Sequence, residues 1–243
     1  MSLRYESEES LEPEVSGEKA PLLRNVPWGS ITLILLYTLV FVAQIGTDLD
    51  RSILLAGEDK DAVRRGELWR MLTGSALHSS IIHYAMNSYA FYSFGRTFEM
   101  LSGRWHVAIV FLLSAIGGSL LSQILNPHGI SVGASGGIVG LVGYLAVYSF
   151  KRRQFITPEF RRSLVFNILF ILFYGFVLVR AVDNFAHIGG LAVGATYALI
   201  SVSSDAYVDP RVTTSRTDNV GMVSLGIYAA TCIFAVLVIL QVV

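Results

Sequence analysis

Three clusters of polar residues stand within or beside apolar stretches of the chain. Ser135 stands in Gly133-Ala134-Ser135-Gly136-Gly137, between an uncharged loop and an apolar stretch. His187 stands in Asn184-Phe185-Ala186-His187-Ile188-Gly189-Gly190, at the start of another. His83 and Asn87 lie four residues apart in a third, a spacing that stacks them on one helix face. A hydroxyl becomes an effective nucleophile when a base within hydrogen-bond reach takes its proton, and an imidazole suits that role. Free backbone N–H groups at a helix start can hold a developing oxyanion. Side-chain donors such as those of His83 and Asn87 add to this, each worth about 3 kcal/mol where water is excluded. The chemistry implied is acyl transfer by a serine–histidine dyad.

Each cluster also has a plainer reading. A Gly-Ala-Ser-Gly run alone serves to pack helices, a histidine at a helix start can bond a carbonyl, and a His–Asn pair can join helices within a membrane. The glycine pattern speaks for the chemistry. At about 100° per residue, His187, Gly190, Gly194 and Ala198 share one face, and Gly136, Gly140 and Gly143 make a similar smooth stripe beside Ser135. Two such faces pack closely and would bring Ser135 and His187 to one depth. Intramembrane ionisable groups are rare and usually functional. His78, five residues before His83, points elsewhere and is read as holding the adjoining loop. His106 is read as interfacial, and His128 lies in a loop. Asp183, four residues before His187, is read as part of an outer loop and not as a third catalytic member.

Other chemistries lack a basis in the sequence. A single cysteine, Cys232, excludes an internal disulfide and a multi-cysteine metal site. No His-Glu-x-x-His occurs, so no metal site is assigned. No glycine-rich phosphate loop follows a strand, and no cofactor is expected. The formal net charge of zero gives no sign of nucleic-acid binding.

The elements that must position these residues are membrane helices. Of the 243 residues 53% are hydrophobic and 15% charged, against about 25% charged in an average soluble domain. The mean hydropathy is +0.58. An all-α, polytopic membrane protein is expected. Seven apolar windows run roughly from Trp28 to Ile45, His78 to Phe94, His106 to Leu125, Ser135 to Phe150, Leu164 to Val179, Phe185 to Ser203 and Val220 to Val243. Lys151, Arg152, Arg153, Arg161 and Arg162 crowd the connection between the fourth and fifth, whereas Asn126 to Val132 carries no base. The positive-inside rule then places the N-terminus in the cytosol and the dyad near the outer face.

The first external loop, Gly46 to Leu77, mixes acids with bases and is expected to form short amphipathic helices in the outer interface. In it Trp69 would be an interfacial anchor and Arg70 a headgroup or loop contact. Residues 1–25 are polar and rich in glutamate. They lack the basic start and apolar run of a secretory signal, and a disordered cytosolic tail is expected. The domain plan is a tail at 1–25, a six-helix core at 26–203, a linker at 204–219 and an additional transmembrane helix at 220–243.

In their order along the chain, three motifs resemble those of the rhomboid intramembrane serine proteases. They are Gly133-Ala134-Ser135-Gly136, the helix from Ala186-His187 through Gly190 to Gly194, and His83-Tyr84-Ala85-Met86-Asn87. Glu67-Leu68-Trp69-Arg70 resembles the Trp-Arg element of that family's first external loop, and Gly95 to Glu99 the end of its second span. The resemblance covers roughly Trp28 to Ser203. It implies six core helices around a water-filled cavity open to the outside, with a seventh helix added. It implies Ser135 as nucleophile and His187 as general base and acid. His83, Asn87 and the Ser135 N–H would form the oxyanion site, with His78, Gly133 and Gly136 in support and Gly190 and Gly194 packing helices. Some members carry a tyrosine four residues after the serine that stacks on the histidine; Val139 stands here, which would loosen His187.

The implied partners are the lipid bilayer and transmembrane protein substrates, reached laterally beside the fifth helix and the loop around Arg180–Asn184. A bacterial plasma membrane is the expected location, with a eukaryotic secretory membrane as the alternative. The sequence sets no oligomeric state. A catalytically silent relative that binds membrane clients is the competing reading, and a proton relay through His83 and His187 is a third. The relay lacks an intramembrane pair of acids.

Overall fold

A computed structural model describes residues 26–178 and 182–242, so the acidic segment 1–25 and most of the Arg180 loop lie outside the described residues. Seven long helices form the body: α1 (Trp28–Gly46), α5 (Ile81–Ser102), α6 (Arg104–Leu125), α7 (Ser135–Lys151), α8 (Pro158–Phe173), α9 (Asn184–Ser201) and α10 (Ser215–Ile239). Between α1 and α5 the first loop folds into α2 (Leu49–Ala56), β1 (Glu58–Asp59), α3 (Lys60–Arg64) and α4 (Arg70–Thr73). Strand β2 (Ile130–Ser131) precedes α7 and pairs antiparallel with β1, Glu58 opposite Ser131 and Asp59 opposite Ile130. Among the described residues four helices are long and apolar enough to cross a membrane: α1, α6, α8 with its continuation to Val177, and α10. The remaining long helices, α5, α7 and α9, carry the polar and glycine positions singled out above. The architecture is an all-α polytopic bundle, with a six-helix core and one further C-terminal helix.

Caps explain where the helices begin. Ser80 accepts the His83 N–H and starts α5 at Ile81, three residues after the apolar window opens. Thr157 accepts the Phe160 N–H, Pro158 takes the first turn, and α8 therefore starts six residues ahead of its apolar run. Thr214 caps α10 at Ser215, which shortens the expected linker. The start of α1 is capped from another helix. Both Glu99 carboxylate oxygens accept its first N–H groups, from Gly29 at 3.1 Å and Ser30 at 2.6 Å. Glu99 therefore lies inside α5, which runs on to Ser102 and turns into α6 through Gly103 at φ +87°.

The first loop forms the short helices expected of it, exposed on one side with Leu54 and Leu68 and packed on the other. It folds inward: Lys60 is fully buried and Glu58 nearly so, because each finds polar partners there. Trp69 is half-buried and meets Phe234 of α10 edge-on at 5.2 Å. Arg70 bonds Glu67 and the carbonyls of Leu54 and Gly57, which makes it a contact within the loop. His106 is buried as well, with Nδ1 2.8 Å from the Tyr197 hydroxyl.

The core centres on α7, most of whose seventeen residues are buried. Its glycines meet α6 and α9 backbone to backbone. A methyl group at Gly190 would lie 2.0 Å from the Gly136 carbonyl oxygen, and one at Gly194 would lie 1.9 Å from that of Gly140. Only hydrogen fits at this seam. On the far side, Gly118 would strike the Ala186 carbonyl at 2.5 Å and Gly189 that of Gly117 at 2.5 Å. Helices α6, α7 and α9 thus form one closely packed unit, joined by small residues where lipid tails give helices no hydrophobic drive to associate.

Candidate active site

Ser135 is the first residue of α7, and His187 sits one turn into α9. The glycine seam holds the two helix starts level, and His187 Nε2 lies 2.9 Å from Ser135 Oγ. The imidazole is buried and the serine half-buried. Gly136 leaves room between the two helices: a methyl group there would lie 3.6 Å from the Ala186 carbonyl. His187 Nδ1 is buried without a hydrogen-bond partner among the described residues. With Nε2 facing the hydroxyl as acceptor, the proton of the neutral ring belongs on Nδ1.

The His83–Asn87 face of α5 comes to the same place. A methyl group at Gly133 would lie 2.8 Å from both Cε1 and Nε2 of His83 and 3.7 Å from Asn87 Nδ2. Gly133 has φ +127°, a conformation that glycine adopts and side chains rarely do. The residue two before the serine therefore has to be glycine for two reasons. Ser79 fixes the role of His83. Its hydroxyl lies 3.0 Å from Nδ1 and its backbone N–H, which can only donate, 3.5 Å from the same atom. Nδ1 accepts, so Nε2 carries the hydrogen and presents it toward Gly133. Asn87 is buried and donates to the His83 carbonyl at 3.1 Å, which orients its amide.

His78 lies behind these donors. It is fully buried, its ring 5.2 Å from that of His83 and 5.5 Å from that of Tyr84. Its backbone is held by Gln44, whose Oε1 accepts the His78 N–H at 2.9 Å and whose Nε2 donates to the His78 carbonyl at 3.2 Å. No atom of His78 reaches Ser135 or His187 by hydrogen bond; its ring packs edge-on against that of His83.

Several residues of the site carry no signal in the sequence. Gln44 is one. Lys60 is another, a loop lysine indistinguishable by pattern from its exposed neighbours. Asp183 is neither loose nor hydrogen-bonded to the imidazole: it caps α9 by accepting the Ala186 N–H at 3.0 Å, and its other oxygen accepts from Lys60. An acid just before Asn184 is a capping pattern that could have been read as such.

Comparison with known proteins agrees with this architecture. The rhomboid domain family matches residues 65–204, more than half of the chain. The chain belongs to the rhomboid family. Over 161 residues, 66% of this chain and 31% of the relative, it is 31% identical to the Bacillus subtilis (strain 168) protein "Rhomboid protease GluP". It is 37% identical over 137 residues, 56% of this chain and 44% of the relative, to "RHOMBOID-like protein 6, mitochondrial" of Arabidopsis thaliana. It is 31% identical over 129 residues to "Inactive rhomboid protein 1" of Rattus norvegicus, covering 53% of this chain and 15% of that one. The matched stretch thus spans less than half the length of each of these relatives. The family contains both proteases and inactive members, and this chain is an integral membrane protein of that family.

Proposed function

We propose that the protein is an intramembrane serine endopeptidase that cleaves transmembrane segments of other membrane proteins. The observation that carries this reading is the 2.9 Å approach of His187 Nε2 to Ser135 Oγ at two helix starts, with side-chain donors facing the same spot. Ser135 Oγ attacks the scissile carbonyl carbon while its proton passes to His187 Nε2. The tetrahedral oxyanion is met by His83 Nε2–H, the Asn87 amide and the Ser135 backbone N–H. Histidine then protonates the leaving amine, and the peptide bond breaks to leave an acyl ester on Ser135. A water molecule deprotonated by His187 hydrolyses the ester and restores the hydroxyl. Asp183 is occupied elsewhere, so a dyad performs the cycle. The substrate helix must unwind to offer its bond, and small or helix-breaking residues near the cut reduce that cost. Access is lateral, beside α8.

A silent, client-binding protein is the second reading, favoured by the similarity to the inactive rat relative. It is separated by presenting a model transmembrane substrate to the purified protein in detergent, wild type against Ser135→Ala. Cleavage by the wild type alone supports the protease. Binding without cleavage by both supports the silent reading. A bacterial plasma membrane is the proposed location, checked by fractionating cells that express the native chain. The segment 1–25 is proposed as a cytosolic tail and residues 26–203 as the catalytic unit, with α10 as an addition to it.

A further inference from the structure

The catalytic pair is repeated, one turn outward, by a second cross-link between the same two stretches of chain. Four residues before Ser135, Ser131 Oγ donates to Asp183 Oδ2 at 2.6 Å, and Asp183 lies four residues before His187. The same carboxylate oxygen accepts Lys60 Nζ at 3.0 Å and the Ser122 hydroxyl. Its other oxygen caps α9 through the Ala186 N–H. Lys60 is fully buried; it also reaches the Ser122 hydroxyl and, at 3.4 Å, the Asn126 carbonyl. Four pieces of chain meet here: the first external loop, α6, β2 and the start of α9. The neighbouring acid, Glu58, is occupied by Ser119 at 2.5 Å and Gln123 at 3.1 Å.

A buried ion pair is a poor source of stability, because removing two charges from water cancels much of their attraction. Its best-attested use is to fix register, and the register fixed here is that of the helix bearing His187 against the segment leading into Ser135. Burial opposes ionisation of Asp183, yet the Ser122 and Ser131 hydroxyls and the Lys60 charge together hold its carboxyl below the usual carboxylate range. The Asp183 carboxylate is therefore ionised at neutral pH.

We propose that Lys60, Asp183 and Ser131 form a latch by which the first external loop sets the depth and orientation of His187 against Ser135. These are positioning residues: none touches the reacting atoms. The proposal rests on the serine-protease reading and deepens it.

The test uses the full chain in detergent with Lys60→Met, Asp183→Asn and the double variant. Asparagine caps a helix as well as aspartate does, so the α9 cap survives. Four quantities are read: thermal midpoint, kcat and KM for a transmembrane substrate, Ser135 labelling by a fluorophosphonate, and amide exchange of the peptide spanning 184–190. Each single variant leaves a buried charge unpaired and lowers the midpoint; the double variant recovers most of it. The latch requires that the double variant, though stable, still loses kcat on the order of 10²-fold with KM little changed, since a misplacement of about 1 Å costs that much. It also requires faster exchange at 184–190 and slower labelling. Wild-type kcat and exchange in the double variant would overturn the proposal and leave the pair a structural contact only. Should the double variant not fold, Ser131→Ala gives the reading: unchanged kcat and exchange there overturn the latch, and a several-fold fall in kcat with faster exchange supports it. If the wild type neither cleaves nor labels, the protease reading fails on its own. The exchange arm then decides the latch, with unchanged exchange in Asp183→Asn counting against it and accelerated exchange for it.

Discussion

The α7–α9 pair and helix α8 are adjacent in sequence and opposite in construction. Along α7 and α9 the backbones touch, with no space for a methyl group at Gly190 or Gly194. Along α8 Leu164 is buried, while Phe166, Leu169, Phe170 and Phe173 are all exposed on the protein surface. Helix α7 is buried along most of its length and α9 along its glycine face, whereas α8 leaves most of its apolar side chains uncovered. The proposed function gives a reason for the difference. On the proposed reading, a catalytic pair 2.9 Å apart tolerates little relative motion, and its helices are joined by the closest packing available. A helix beside which a substrate is proposed to pass gains from few contacts, and the C-terminal end of α8 continues into a π turn, Tyr174–Leu178, resting on Asn184 through Gly175.

That comparison can be broken most forcefully at the seam. Gly190→Val drives a side chain into the Gly136 carbonyl, and is expected to cost about 3 kcal/mol of stability and more than about 10²-fold in cleavage. Thermal unfolding in detergent and substrate turnover measure both; a stable, active variant would mean the seam does not hold the dyad. Next comes Asn87→Ala, which leaves the seam intact and removes one proposed oxyanion donor. Cleavage should fall by about 10²-fold with the thermal midpoint little changed. A fall in midpoint without loss of kcat would make Asn87 a packing residue.

Restraining α8 should separate access from chemistry. Cysteines at Gly175 and Asn184, joined across their contact in a Cys232→Ala background, should slow cleavage of a transmembrane substrate by about tenfold while fluorophosphonate labelling continues at the wild-type rate. Equal loss of both would show that the restraint disturbs the dyad itself. On the lipid face of α8, Phe166→Ala should change stability by no more than about 0.5 kcal/mol. A larger change would give α8 the packed character of its neighbours.

The mildest effect is expected from pH. Asp183 titrates below the usual carboxylate range, so its contribution to stability is complete at neutral pH and is lost as pH falls through that depressed value. Glu58 works in the opposite sense: burial raises its pKa against the opposing pull of Ser119, Lys60 and Gln123, so its protonation favours the folded state as pH falls through that raised value. Thermal midpoints from neutral to acid pH should therefore fall late, below the ordinary carboxylate range. Asp183→Asn should remove that final fall.

Much of this arrangement is legible in the sequence because spacing on a helix is rigid. Serine beside a glycine stripe, histidine above another, and His83 with Asn87 at four residues all follow from a repeat of 3.6. The hydropathy of the chain requires helices, and the family motifs fix their order. The first loop is not legible in the same way. Lys60 and Arg64 look alike in the sequence, yet one is buried against Asp183 and the other is exposed.

The sequence by itself determined the membrane class, the helical repeat and the residues able to do acyl-transfer chemistry, because each depends on composition or on distances of a few residues. Only the tertiary structure decided that the first loop turns inward, that Gln44 holds His78, and that Asp183 binds Lys60, Ser122 and Ser131. Those contacts join residues tens of positions apart, and a buried charge reveals its partner only when the chain has closed around both.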